Sequence, residues 1–325
     1  MKAKARRISS KLRSANVVLH DGAGNMLSRG GAGSPPSTEP AAGRPEEAEL
    51  YRPLTINFGS LALPPTLRLL QRWNESLGDS ETFYGLFGFY LQTGGFRYAN
   101  TPCDAVVFGS TGMDGIHFAL LTDFGRSADL EQAPVICVSP MEFDDPSTVI
   151  ARNLREFLSY GEQDWALFYN VFADERQWRS FQEKSAREQA ESQWRRSDEE
   201  ESRLGALRKQ FLAEAGLSAM ADGWTNLQAV RLERAERRSI PTTDSLGVIE
   251  PAEPGWNGTL PPLGRDTSPD ESELEPWLRQ APRHARLAAI RLLQHHGLSP
   301  ALAALLADEL QALGLGEDAL RLLFE

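Results

Sequence analysis

Cysteine is scarce in this chain: Cys103 and Cys137 are the only two in 325 residues. Two cysteines make no secreted disulfide framework, and no CxxC spacing is present to suggest a zinc site. Cys137 lies in the apolar run Pro134–Val138 and reads as a buried, inert thiol. Basic charge is also short, with 34 Lys plus Arg against 45 Asp plus Glu and a formal net charge of −11, which argues against a broad nucleic-acid footprint. No apolar run approaches the roughly 20 residues of a membrane span. The basic start (Lys2, Lys4, Arg6, Arg7, Lys11, Arg13) is followed by no apolar segment of signal-peptide length. A cytoplasmic protein is expected.

Catalytic motifs are missing as well. There is no GxSxG elbow and no papain-like cysteine context. His295 and His296 are adjacent, so they point to different helix faces and cannot share one ion. The acidic group Glu142, Asp144, Asp145 lacks EF-hand spacing and its central glycine. Gly109, Gly112 and Gly115 lead into a strand and not a helix, and Asp114 would repel a phosphate. No cofactor or metal is expected. The one histidine of the central region, His117, alternates onto one strand face with Ala119, Leu121 and Asp123. A hydrolase using His117 and Asp123 is therefore conceivable, but a hydrogen-bonded structural histidine is the simpler reading.

What is present falls into four parts. Residues 1–47 read as a disordered tail with a basic tip, since ten of the 25 positions from Asp21 to Pro45 are Gly or Pro. Residues 48–250 carry an ordered α+β pattern. A helix is predicted from Pro64-Pro65 to Gly78 and a second from Thr82 to Leu91, before a break at Gly94-Gly95. Strands are expected at Asp104–Gly109, Gly115–Thr122 and Pro134–Ser139, the first two joined as a hairpin. Asp145 and Pro146 look like the N-cap and first turn of a helix whose stripe is Ile150, Leu154, Phe157 and Leu158. Further helix is predicted from Glu162, through a charged stretch at 183–203 and an amphipathic run Phe211–Arg238, with a loop and late strand at 239–249. Residues 251–276 read as a Pro-rich linker and 277–325 as a small helical module that buries little alone, so it should dock on the main domain or on a second copy.

Several segments together carry a family resemblance: Thr111–Gly125, then Val138-Ser139-Pro140, then Ala151–Leu158, with Tyr98–Cys103 before them and Ile240–Val248 after. In order and spacing these resemble the SUKH superfamily, which contains fungal cell-wall assembly regulators and bacterial immunity proteins of polymorphic toxin systems. The resemblance covers roughly residues 60–250 and leaves out the charged stretch 183–203, the start and the helical tail. It implies an antiparallel sheet with helices packed against it, and a non-enzymatic protein that acts by binding another protein, often as an antidote to a toxin; the alternative is a regulatory scaffold, with the helical tail and the basic arm as additional docking elements. No catalytic role comes with it.

Residues 104–160 carry nine acids against three arginines. That charge would suit a basic partner such as a toxin domain. The expected partner-facing rim is Asp114, Asp123, Asp129, Glu131, Glu142 and Asp144.

Overall fold

The computed structural model describes residues 57–92, 96–142, 145–193, 195–254, 256, 260–261 and 271–323. The expectations for the basic start, for Gly94-Gly95, for Asp144 and for much of the linker 251–276 lie outside them. The fold is α+β. Five strands, β1 (Tyr90–Leu91), β2 (Ala105–Ser110), β3 (His117–Leu121), β4 (Val135–Val138) and β5 (Ser147–Ala151), form an antiparallel meander in sequential order. Nearly every residue of β2 to β5 is buried. Both faces are covered, so the strands read as continuous apolar runs and not as alternating ones.

One face carries Val106, Phe108, Phe118, Leu120, Cys137 and Ile150 into the main core. Helices α1 (Pro65–Leu77), α2 (Ser80–Phe87), α3 (Leu154–Ser159), α4 (Ala166–Tyr169), α5 (Glu175–Glu191) and α6 (Asp198–Ala215) supply the rest of that core. The other face, with Val107, Ala119, Leu121, Ile136 and Val149, packs on Val230 of α7 (Gly223–Arg237) and on Leu246. Last come α8 (Glu271–Gln280), α9 (Arg283–His296), α10 (Pro300–Ala312) and α11 (Gly316–Leu323), which cluster around Cys103, Phe124, Ile240 and Val248.

Local chemistry sets most boundaries. Asp79 accepts from the Thr82 amide at 2.6 Å to start α2, and Ser299 caps α10 with Pro300 in its first turn. The β2–β3 hairpin forms where expected, with Ala105 opposite Leu121 and Ser110 opposite His117.

Four expectations are corrected. Residues 147–151 are strand β5, paired with β4, and the helix starts only at Leu154 behind its cap Asn153, which accepts from the Glu156 amide at 2.9 Å. Ile150, Leu154, Phe157 and Leu158 do face one core, but from a strand and a helix together, so the stripe mimicked one helical period. The second helix stops at Phe87, and Tyr90–Leu91 join the sheet. The charged stretch belongs to two helices, α5 and α6, the latter restarting behind Ser197, and Phe211–Arg238 is likewise split by Gly216. Helix α8 begins inside the expected linker; it carries Pro276 within it and buries Leu274 and Leu278.

Candidate functional site

The β2–β3 turn and the β4–β5 connection lie at one end of the sheet, and the β3–β4 connection lies at the other, because β3 pairs antiparallel with both neighbours. At the first end the chain builds an exposed ridge. Thr111 Oγ1 accepts from the Met113 amide, and Gly112, Asp114 and Gly115 take left-handed backbone with φ of 72, 49 and 71°. Gly115 has no substitute here, since a Cβ would meet the Tyr98 ring at 2.6 Å. Tyr98 thus lies against the turn, and Asn100 Nδ2 donates to Pro140 O at 3.3 Å, tying the 96–102 segment to the β4–β5 connection.

His117 is the post behind this ridge, with 0% exposure. Its Nδ1 lies 2.7 Å from Gly115 O, which can only accept, so Nδ1 carries the proton and Nε2 accepts from Thr101 Oγ1 at 3.1 Å. Thr101 Oγ1 in turn accepts from the Tyr98 amide at 2.8 Å. Burial holds the imidazole down at about 4, so it is neutral at physiological pH. The ring stacks near Tyr98 and meets Phe96 edge-on. The histidine therefore fixes the loop that presents Tyr98, as the simpler sequence reading expected. No dyad with Asp123 forms, because Asp123 is engaged elsewhere.

Of the six expected rim residues, Asp114 and Glu142 are exposed at this end of the sheet, and Asp144 lies outside the described residues. Asp123 and Glu131 are corrected. Asp123 is buried and forms a two-pronged pair with Arg234, at 2.9 and 2.7 Å. Glu131 accepts from the Thr66 amide at 3.1 Å and from its hydroxyl, so it seats the first turn of α1. Asp129 is exposed but belongs to the β3–β4 loop at the far end, where it caps the Glu131 amide at 3.0 Å. Charge counting along the chain cannot separate acids that cap or pair from acids that face solvent.

Large apolar side chains sit among the two acids that remain. Tyr98, Met113 and Met141 are 41, 44 and 65% exposed. Beside this ridge opens a cleft of about 300 Å³, between α4 on one sheet face and α7 on the other, past Thr148 and Val149 of β5. Val171 stands at its lip, 88% exposed. Helix α7 and the residue after it turn Arg231, Arg234 and Arg238 into the cleft, at spacings of three and four. Arg234 is saturated by Asp123 and by Leu246 O at 2.7 Å, and Arg238 donates to Ser245 O at 3.1 Å. Arg231 has no hydrogen bond or ion pair among the described residues, and burial lowers the pKa of its guanidinium. A wider, open trough along α5, lined by Phe172, Phe181, Arg176 and Lys184, is too shallow to enclose a ligand. The arginine spacing on α7 was visible in the sequence; that one of the three has no hydrogen bond among the described residues was not.

The opposite end of the sheet is filled by charge. Asp104, just before β2, and Asp123, just after β3, meet Arg291 of α9, with Arg291 Nη2 2.5 Å from Asp104 and 3.7 Å from Asp123, and Nη1 3.4 Å from Asp244. Burial pushes the Asp104 carboxyl up to about 7 against the pull of Arg291, and the carboxylates of Asp318, Asp123 and Asp244 add to that rise. Desolvation would lower Arg291, but the three acids around it hold it above the ordinary arginine value. Gln294 bonds the Cys103 amide and Thr101 O, and Arg321 donates to Cys103 O at 2.9 Å. The helical tail is thereby docked on the main domain, and the described residues form one compact unit. Both thiols are buried, and Cys137 is pushed up to about 12 by that burial.

Among the described residues no group of three or more His, Cys, Asp or Glu is arranged to hold a metal, and no helix is long and apolar enough to cross a membrane. No protein-family model matches the chain, and no curated protein matches it.

Proposed function

We propose that this protein acts by binding another protein, as a cytoplasmic immunity protein that neutralises a cognate toxin. The observation that carries this reading is the ridge of Tyr98, Met113 and Met141 set among Asp114 and Glu142. Exposed aromatic and Met side chains rimmed by charge are what a protein interface needs at its centre. The acids suit a basic partner such as a toxin domain. The same segments, Tyr98–Cys103, Thr111–Gly125 and Val138–Pro140, carry the SUKH resemblance, so the family pattern and the ridge coincide.

The scaffold alternative would use the helical tail as a separate docking arm. That tail spends Arg291, Gln294 and Arg321 on the core, which favours the ridge as the recognition surface.

The test is capture of partners by the tagged full chain from its source cells, with mass spectrometry and inspection of neighbouring genes. A stoichiometric partner encoded beside the chain is expected. Its capture should weaken by roughly 30-fold or more in the Tyr98→Ala, Met141→Asp double variant, as for central interface residues. The absence of a stoichiometric partner, or capture indifferent to those changes, would overturn the reading.

A further inference from the structure

We propose that the cleft between α4 and α7 is a receptor for one carboxylate, an Asp or Glu side chain of the protein partner, seated on the guanidinium of Arg231. The inference rests on the protein-binding reading above and names what its second contact takes.

Arg231, Arg234 and Arg238 share one face, and Arg234 shows what this face does with an acid. It holds the Asp123 carboxylate with two parallel bonds at 2.9 and 2.7 Å. Arg231 sits one turn earlier, half-buried, in the same wall. Its Nε is closed off from solvent, and among the described residues nothing accepts from it. A carboxylate entering the cleft would meet the terminal nitrogens, the same fork by which Arg234 holds Asp123. Arg238 also keeps a buried Nε with no acceptor among the described residues, two turns or about 10 Å further along the chain. Among the described residues no acid of the chain bonds Arg231, although the Asp145 carboxylate attracts it from a distance. The Asp145 carboxylate accepts from Ser245 Oγ, and Glu142 is exposed at the mouth.

The rest of the lining selects the occupant. Val149, Phe168 and Val171 offer apolar wall for the methylene stem of an acidic side chain, and Ser139, Thr148 and Tyr169 offer hydroxyls beside it. About 300 Å³ is the lower end for small-molecule pockets, and it suits an inserted side chain. Glu142 and Asp145 at the rim repel a dianion, which disfavours phosphate and favours a single negative charge. The cleft therefore complements the ridge. The ridge meets basic and apolar groups, and the cleft takes one acid, fixing the partner's register.

The test uses the full chain, isotopically labelled, and N-acetylglutamic acid α-amide as the side-chain probe. N-acetylglutamine amide serves as neutral isostere, and N-acetylglycine and inorganic phosphate are added at matched ionic strength. The Thr148 and Val149 amides and the arginine Nε–Hε signals report binding. A saturable shift with the glutamic acid probe is expected, at least tenfold weaker with the glutamine amide or phosphate, and lost in Arg231→Met and Arg231→Gln. Stronger shifts with N-acetylglycine would assign the site to a chain terminus, overturning the side-chain assignment. No saturable shift, or one that survives both Arg231 variants, would overturn the site. Partner capture that is lost in the Tyr98 and Met141 variant but unchanged in Arg231→Met would remove the cleft and leave the ridge. Probe binding by a chain that captures no partner would retain the anion site and sink the protein-binding reading.

Discussion

Arg291→Met should destabilise the protein by about 3–5 kcal/mol, the usual cost of removing one side of a buried ion pair. Set against a total stability on the order of 5–15 kcal/mol, that is enough to lower the melting temperature by roughly 10 °C or to prevent folding. The reason is what the change leaves behind. Asp104, Asp123 and Asp244 are all buried around Arg291, and Arg234, already committed to Asp123, cannot take its place. The guanidinium also lies 4.8 Å over the Phe124 ring. That contact and the Asp104 carboxylate, which accepts from the Phe124 amide at 3.3 Å, hold a turn in which Asp123 and Phe124 both have positive φ, 51 and 55°. Such backbone costs on the order of 1–3 kcal/mol per residue unless its surroundings fix it.

Arg291→Lys should recover little, because one ammonium on a flexible stem cannot bridge three carboxylates. Adding Asp104→Asn to Arg291→Met should recover part of the loss by replacing a buried carboxyl that has lost its partner. A chain ending at residue 281 should lose cooperative unfolding altogether, since it uncovers the same aspartates and the apolar side of Cys103, Phe124, Ile240 and Val248. Thermal melts of the four proteins decide the matter. If Arg291→Met lost less than about 1 kcal/mol, the cluster would not be what joins tail to core.

This cluster marks the limit of what the sequence discloses. The hairpin at Gly109–Gly115, the caps at Gly78 and Ser299, and the inert character of Cys137 follow from neighbours within a few positions, and all were legible. The second cap residue of the β5 region was not: Asp145-Pro146 fits a helix start as well as Asn153 does, and only pairing with β4 decides between them. Pro276 reads as a breaker, but burial of Leu274 and Leu278 carries a helix through it. The site suffered most from distance. Asp104 and Arg291 are 187 residues apart, and Asp123 and Arg234 are 111 apart, so no local pattern pairs them. An acid counted as part of a rim thus proved to be core, whereas Asp114 and Glu142 kept their exposure. That Arg231 Nε finds no acceptor among the described residues is invisible for the same reason: pairing is a property of the whole fold.

The buried acid and the buried histidine should give the protein two opposing pH dependences. Asp104 rises from 3.8 to about 7, chiefly through burial. Between those values the folded protein keeps a proton that the unfolded chain has released, so this contribution is full at low pH and is lost as pH rises through about 7. His117 falls from 6.5 to about 4, again through burial. Between pH 4 and 6.5 the unfolded chain takes up a proton that the folded ring refuses, so this contribution is lost as pH falls through that window. Each is worth on the order of 3–4 kcal/mol across its window. The two oppose one another from pH 4.5 to 6.5, so the wild-type profile should lie between those of variants lacking one or the other group.

Asp104→Asn removes the first dependence only, so its melting temperature should fall steeply on acidification from pH 7 to 4.5. His117→Gln, which keeps one donor and one acceptor for Gly115 O and Thr101 Oγ1, removes the second, so its stability should climb over the same range. Asp318 and Asp164, whose carboxyls burial also raises, are present in every variant and cancel in the comparison. The exposed acids lowered by their caps and partners, Asp79, Asp222 and Glu233, act below this window. Melting curves from pH 4.5 to 7.5 settle it. Profiles that run parallel in the wild type and both variants would mean that neither buried group titrates as its surroundings require. Opposite slopes would show that the post beneath the ridge stays neutral while the joint to the tail takes up a proton.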